Sequence, residues 1–383
     1  MGFHLKLRSS KNSLDRAKKS QQAYYTASQW RLMWRRLKRH KLAMVGGTIL
    51  LLFYLSAIFA PFLSPYDPHQ PFDEYLNAPP QVLRFWDENG FSLRPFVYGL
   101  KGTRDPKTLA RIFEVDKERR CYINFFVRGS EYKILGFIPG NIHLFGPAEE
   151  GDTIFLFGTD NLGRDLFSRN MHASQVSLTI GLVGVFFSFV LGCTLGGISG
   201  YYGGVADMII QRIIEFLLSI PTLPLWMALS AALPRDWSQM RIYFAITLIL
   251  ALASWTGLAR VVRGKLISTR NQDFVMAAKV AGSSEARIIY KHLLPDFMGY
   301  LIVNLTMSIP GMILGETSLS FLGLGLQAPI ISWGVLLNQA QNVRTVALYP
   351  WIMLPAIFVV LAVLSFNFIG DGLRDAADPY KEV

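Results

Sequence analysis

At 383 residues, 51% of them hydrophobic, the chain has the size of a large soluble enzyme, but its charged residues avoid six separated windows of membrane length. A water-soluble core needs no such windows, so the pattern excludes an ordinary soluble domain. The net charge of +11 is held by residues 1–41, with twelve Lys/Arg and one acid, Asp15, while the rest of the chain is neutral.

A basic tail beside a first membrane run reads as cytoplasmic, and as a lipid-headgroup contact rather than a nucleic-acid site. Its end, WRLMWRRLKRHK, interleaves Trp30, Leu32, Met33, Trp34 and Leu37 with Arg31, Arg35, Arg36, Lys38 and Arg39, which predicts an interfacial amphipathic helix. Leu42–Leu63 is uncharged for 22 residues and predicts the first span. It is too long for the core of a cleaved signal peptide.

Asp67–Asn170 is the one long soluble insertion. CYINFFVRG and EYKILGFIPG predict β-strands followed by turns, hence a small β-containing lobe on the periplasmic side. In GTDNLGRDLFSR, Asp160–Asn161 reads as a turn and Gly163–Arg169 as the start of a surface helix. Cys121 in the insertion and Cys193 in a membrane run are not expected to pair.

Ser174–Gly200 is uncharged for 27 residues, and Gly192, Gly196 and Gly200 make a flat face for close helix packing, within this chain or against another. GYYGG then turns the chain. Asp207–Glu215 is amphipathic, with Arg212 and Glu215 spaced to pair. Phe216–Leu233 is expected as a third span kinked at Pro221 and Pro224, and Ile242–Ala259 as the fourth. Arg260, Arg263, Lys265 and Arg270 mark its far end as cytoplasmic. Phe297–Gly315 is the fifth span, closed by Glu316. TSLSFLGLGLQAPIISWG suggests a partly re-entrant segment, and Thr345–Gly370 is the sixth span.

Between the fourth and fifth spans lies DFVMAAKVAGSSEARIIYKHLLP, Asp273–Pro295. Ala277, Ala278 and Gly282 leave little side-chain cover, so a partner can approach closely, and Pro295 is expected to stop the helix. No G-x4-G-K-[ST] loop occurs, so the chain is not expected to bind ATP or act as an enzyme. Scattered histidines and single cysteines give no metal-ligand set, and no cofactor is expected. Glu316, with Ser318 and Ser320, is either a pathway or gate group on the outer side or an interfacial carboxylate.

The A-A-x3-G-x11-L-P stretch resembles the coupling loop of bacterial ABC importer permeases. Met276 stands where that family usually has glutamate, and His292 where a branched aliphatic is common. GTDNLGRDLFSR, GYYGG with Asp207, SLSFLGLG with SWG, and FNFIGDGLRDAADP are similar to the dipeptide/oligopeptide/nickel branch of those permeases. The resemblance covers about residues 30–64 and 157–380. It implies an all-α polytopic membrane protein with six transmembrane helices of the type I ABC importer permease kind and a small β-containing insertion. It further implies half of a channel for oligopeptides or similar solutes in the bacterial inner membrane, completed by a second homologous permease. Two ATP-binding subunits, carrying ATP and magnesium, would dock on the loop through Asp273, Ala277, Ala278, Gly282, Glu285, Leu294 and Pro295. A periplasmic solute-binding protein would deliver cargo. The expected layout is a basic cytoplasmic tail (1–41), a first span (42–64), a periplasmic insertion (65–170), a five-helix core (171–371) with the coupling loop at 265–296, and a cytoplasmic tail (372–383). The rival reading is a membrane-anchored receptor acting through the insertion, which predicts one or two spans and no such loop.

Overall fold

The computed structural model describes residues 29–87, 90–104, 111–149, 151–234 and 236–377. Most of the basic tail therefore lies outside the described residues. Its end forms α1 (Gln29–Arg39), which leads into α2 (Lys41–Ile58) and the short α3 (Ala60–Leu63). His40 caps α2, its Nδ1 accepting the N–H of Ala43 at 3.1 Å.

Among the described residues, five helices are long and apolar enough to cross a membrane: α2, α4 (Leu166–Tyr202), α7 (Gln239–Thr269), α11 (Met298–Phe321) and the run Pro350–Ala377, which contains α14 (Leu354–Ala377). A sixth crossing is available only as the broken pair α5 (Gly204–Ser219) and α6 (Thr222–Ala231), bent by 89°. The chain is thus a polytopic membrane protein, with five continuous candidate spans among the described residues and a sixth if the bent pair crosses as one.

The third span departs most from expectation. Pro221 and Pro224 do not kink one helix; the chain breaks at Ile220–Pro221. Proline lacks an N–H, so Pro224 is accommodated in the first turn of a new helix, where no intrahelical donor is required. The last span also starts later than Thr345. Val343–Leu348 is a separate turn of helix, α13, and the chain breaks at Tyr349 before Pro350. Helix α14 then continues through Ala377, so the residues expected as a tail from 372 are helical as far as they are described.

The glycine face packs inside this chain. A Cβ on Gly192 would lie 2.9 Å from the Leu258 Cβ; on Gly196, 2.5 Å from the Ala259 carbonyl oxygen; on Gly200, 2.6 Å from that of Arg263. Helices α4 and α7 therefore meet backbone to backbone at Gly196 and Gly200, with Gly192 packed on the Leu258 side chain.

The insertion forms a four-stranded antiparallel meander of β1 (Arg84–Asp87), β2 (Gly90–Arg104), β3 (Arg111–Ile134) and β4 (Ile138–Pro147). CYINFFVRG lies within β3 as expected. EYKILGFIPG is not one strand: it ends β3, turns at Leu135–Phe137 and starts β4. Val97, Cys121, Ile123, Phe145 and Ile154 fill a small core beneath the sheet, and burial pushes the Cys121 thiol up to about 11.

The sheet is fastened to α4 by GTDNLGRD, which makes the expected turn after Asp160, with Asn161 and Leu162 exposed at its tip and Gly158–Asp160, Gly163 and Asp165 buried. Asp160 accepts the backbone N–H groups of Leu162 and Arg164, each at 2.9 Å, and pairs with the Arg164 guanidinium at 2.8 Å. Helix α4 starts at Leu166, not Gly163. Asp165 caps it by accepting the Ser168 N–H at 2.8 Å, and burial raises its carboxyl to about 6.

Candidate coupling segment and buried carboxylate

The segment after α7 is a folded lever rather than a bare loop. It comprises α8 (Asp273–Val280), α9 (Glu285–Arg287), a π turn (Ile288–Leu293) and α10 (Leu294–Asp296). Helix α8 ends in a glycine cap. Gly282 has φ +74, its N–H donates to the Lys279 carbonyl at 2.9 Å, and that of Ser283 donates to Ala278 at 3.0 Å.

The two alanines read as one face from sequence do not share one. Ala278 is buried with Val275, Ile288, Ile289, Leu293 and Leu294 against Leu258, Val262 and Leu266 of α7. Ala277 points outward, beside Met276 (48% exposed) and Val280 (89% exposed). Successive helical residues are about 100° apart, so one alanine of such a pair must turn away from its neighbour's face. Gly282 has no atom within 4 Å of a built Cβ. Its role here is the left-handed backbone, not a close approach. Leu294 is buried, while Asp273, Glu285 and Pro295 are exposed. Pro295 sits inside α10, and the backbone break comes at Phe297, φ −119.

Sequence reasoning missed what holds this lever. Arg270 donates to the carbonyls of Gly200 (3.2 Å) and Tyr201 (3.1 Å), closing the C-terminal end of α4. The Lys279 ammonium lies 5.2 Å over the Tyr201 ring, Glu285 engages the Tyr202 side chain, and the Tyr290 and Thr194 hydroxyls meet at 3.0 Å. Beside them, Asp207 of α5 takes a two-pronged bond from Arg263 of α7, one prong at 2.6 Å, and a third from Ser199. Asp207 and Arg263 were each visible in the sequence, but α5 follows α4 directly and the glycine face seats α4 on α7, which brings the two side chains together. The expected Arg212–Glu215 pair forms at 2.8 Å on the exposed face of α5.

Glu316 does not close its span. It lies inside α11, fully buried, and its Oε1 accepts the hydroxyls of Ser320 (2.7 Å) and Ser332 (2.6 Å). Ser318 is half-buried and is not among its partners. Ser332 also caps α12 (Trp333–Leu337), and the Trp333 N–H donates to Ser177 of α4 at 3.0 Å. The carboxylate thus pins the returning segment 322–337 onto the bundle. Neither a membrane-edge position nor an open pathway within this chain fits that burial. Among the described residues, no group of three or more His, Cys, Asp or Glu converges as a metal site would.

Residues 192–382 match the family described as binding-protein-dependent transport system inner membrane component, and residues 28–80 match the N-terminal TM domain of oligopeptide transport permease C. The chain is 32% identical over 348 residues to the dipeptide transport system permease protein DppC of Bacillus subtilis, covering 90% of this chain and 84% of that protein. It is 41% identical over 240 residues to the oligopeptide transport system permease protein OppC of Haemophilus influenzae, covering 62% of this chain and 74% of that protein. An inward-facing structure of the MetNI methionine ABC transporter aligns with a TM-score of 0.41 and 18% identity, covering 54% of this chain and 96% of the matched chain.

Proposed function

We propose, from the premise that this chain belongs to the binding-protein-dependent ABC importer permeases, that it forms half of a peptide channel and is driven through α8. The relatives named above carry dipeptides or oligopeptides, and short peptides are the substrate class we assign. A second homologous permease completes the channel. Two ATP-binding subunits supply ATP and magnesium, and a solute-binding protein delivers cargo. This chain contributes no cofactor and no hydrolytic chemistry. The layout read from the sequence is retained: a bacterial inner-membrane protein, basic tail and C-terminal end cytoplasmic, sheet periplasmic. The cations of α1 support that orientation.

The observation that carries the coupling reading is the outward side of α8. Phe274, Met276, Ala277 and Val280 leave an apolar strip exposed, while the opposite side is packed on α7 and tied to the end of α4. A partner cleft that grips the strip and shifts it moves α4 and α7 as well, because Arg270, Lys279 and Glu285 join the lever to Gly200–Tyr202. Asp273 and Glu285 orient the docking. Gly282, Leu294 and Ala278 act from behind, by shaping and seating the lever. Glu316 and Ser320, with Ser332 rather than Ser318, hold the segment that borders the outer gate.

The test is Val280→Asp in the assembled importer. The residue touches nothing that the fold requires, so insertion into the membrane is expected to be unchanged. Recovery of the ATP-binding subunits with the chain, and uptake of a labelled tripeptide, are expected to fall at least tenfold. Normal recovery and uptake would overturn the coupling assignment.

A further inference from the structure

We infer that the β3–β4 hairpin is a membrane-interface anchor, with its tip seated in the lipid leaflet on the sheet side. The tip carries Leu135 (61% exposed), Phe137 (70%) and Ile138 (48%), three large apolar side chains that the protein leaves about half or more uncovered. Isolated exposed apolar residues are ordinary, but three in four positions at the end of a projecting hairpin are not.

Position identifies the occupant. Leu135 and Gly136 wall a cavity of about 780 Å³ whose other side is formed by three helices of the bundle, including Ile58 of α2, Thr179 of α4 and Met240 of α7. All three of those side chains are on exposed surface of apolar helices. Helix α2 starts at Lys41, directly after the cation-rich α1 that ends at Arg39, and runs 18 residues to Ile58. At 1.5 Å per residue that is about 27 Å, close to the hydrocarbon thickness of a bilayer, about 30 Å. Ile58 therefore lies near the hydrocarbon boundary opposite the basic end, and the hairpin tip lies level with it. Helix α7 agrees, since Met240 stands in its first turn, followed by Arg241. Any bilayer that meets these helix turns meets the tip as well.

The rest of the arm fits an interface. Lys133 and Arg128 stand back from the tip along β3, where an ammonium and a guanidinium reach headgroups while the apolar end is immersed. The arm also leans on the end of the first span, with the Phe126 ring 6.4 Å from Phe62 of α3. Phe126 (φ +56) and Leu135 (φ +52) hold left-handed backbone that large side chains rarely adopt. They turn the arm at its root and at its tip, which directs the apolar end along the helices rather than away from them. A protein partner on the tip would have to displace the bilayer at that level, whereas lipid is already there.

The test uses the whole importer reconstituted in phosphatidylcholine–phosphatidylglycerol vesicles. Phe137→Cys and, as a second position, Leu135→Cys carry a polarity-sensitive fluorophore. Leu93→Cys on β2, 87% exposed and no part of the cavity wall, is the control. The native Cys121 and Cys193 are buried and stay in place. Lipids bearing a nitroxide high on the acyl chain are expected to quench the labels at 137 and 135 at least threefold more than the label at 93, and aqueous iodide is expected to do the reverse. Equal iodide quenching at all three positions would overturn the inference. So would shielding of 137 and 135 that arises only when a solute-binding protein is added, because the occupant would then be protein.

Discussion

The two ends of the helix bundle are fastened in different ways. At the end bearing α8, the ties are charged and partly wet: the side chains of Asp207 and Arg263 are 20% and 33% exposed, and Arg270 and Lys279 reach over the last turn of α4. At the end bearing the sheet, the ties are dry. Asp160, Asp165 and Glu316 are at most 1% exposed, and each takes its hydrogen bonds from nearby hydroxyls, amides or a guanidinium. A buried charge leaves its partners only at a cost of several kcal/mol, so a dry network specifies one arrangement. Partly solvated ties exchange with water and can be remade in another geometry. The end that a partner ATPase would push is thus the one whose contacts tolerate rearrangement, while the opposite end keeps its shape.

The largest effect should come where both ends depend on one contact. Gly196→Leu places a side chain where a Cβ already falls 2.5 Å from a backbone oxygen of α7. The helices must separate, and overpacking of this kind costs about 1–3 kcal/mol or more. The expected outcome is a large fall in folded protein, read by size-exclusion yield and thermal unfolding in detergent. A variant that kept its wild-type melting temperature would mean that α4 and α7 are free to part, and that the two ends are not joined through them.

Glu316 sharpens the contrast at the dry end. Glu316→Ala leaves the Ser320 and Ser332 hydroxyls without their acceptor, at about 1–3 kcal/mol. Glu316→Gln retains an acceptor oxygen and should recover most of that loss. Thermal unfolding and tripeptide uptake are expected to rank wild type, Gln, Ala. Uptake in Gln as low as in Ala, at wild-type stability, would show that the negative charge itself is needed, a gate role rather than a fastening.

How far these ends were legible follows from what each signal measures. Runs without charge report the cost of placing charge in lipid, so the long spans were readable and α4, α7 and α11 lie where expected. The break at Pro221 was not readable, because two prolines three residues apart suit a kinked helix and the first turn of a new one equally well. The AA-x3-G spacing located the lever but misassigned its faces: one-residue steps on a helix turn by about 100°, and which alanine is inward depends on α7. The Asp207–Arg263 and Glu316–Ser332 bonds join residues 56 and 16 apart, which no local pattern encodes. Glu316 left a trace as charge inside apolar sequence, which flags a site without naming the partner, while Arg263 was one cation in a cluster that read only as topology.

The smallest effect is expected for a feature that sequence and structure both present. Arg212 and Glu215 pair at 2.8 Å, one helical turn apart, on the same end as the α8 lever. Their side chains are 79% and 62% exposed, however, so water competes for both partners and ordering two long side chains offsets the attraction. Such pairs contribute about 0.2–0.5 kcal/mol. Arg212→Ala should therefore leave the melting temperature within about 1 °C of wild type in the isolated chain, and added salt should leave the small remaining difference smaller still. The informative measurement is the same substitution in the assembled importer. If uptake or subunit recovery falls there while the isolated chain is unaffected, Arg212 is held by another subunit. The wet end of the bundle would then include a contact surface on α5 as well as the strip on α8.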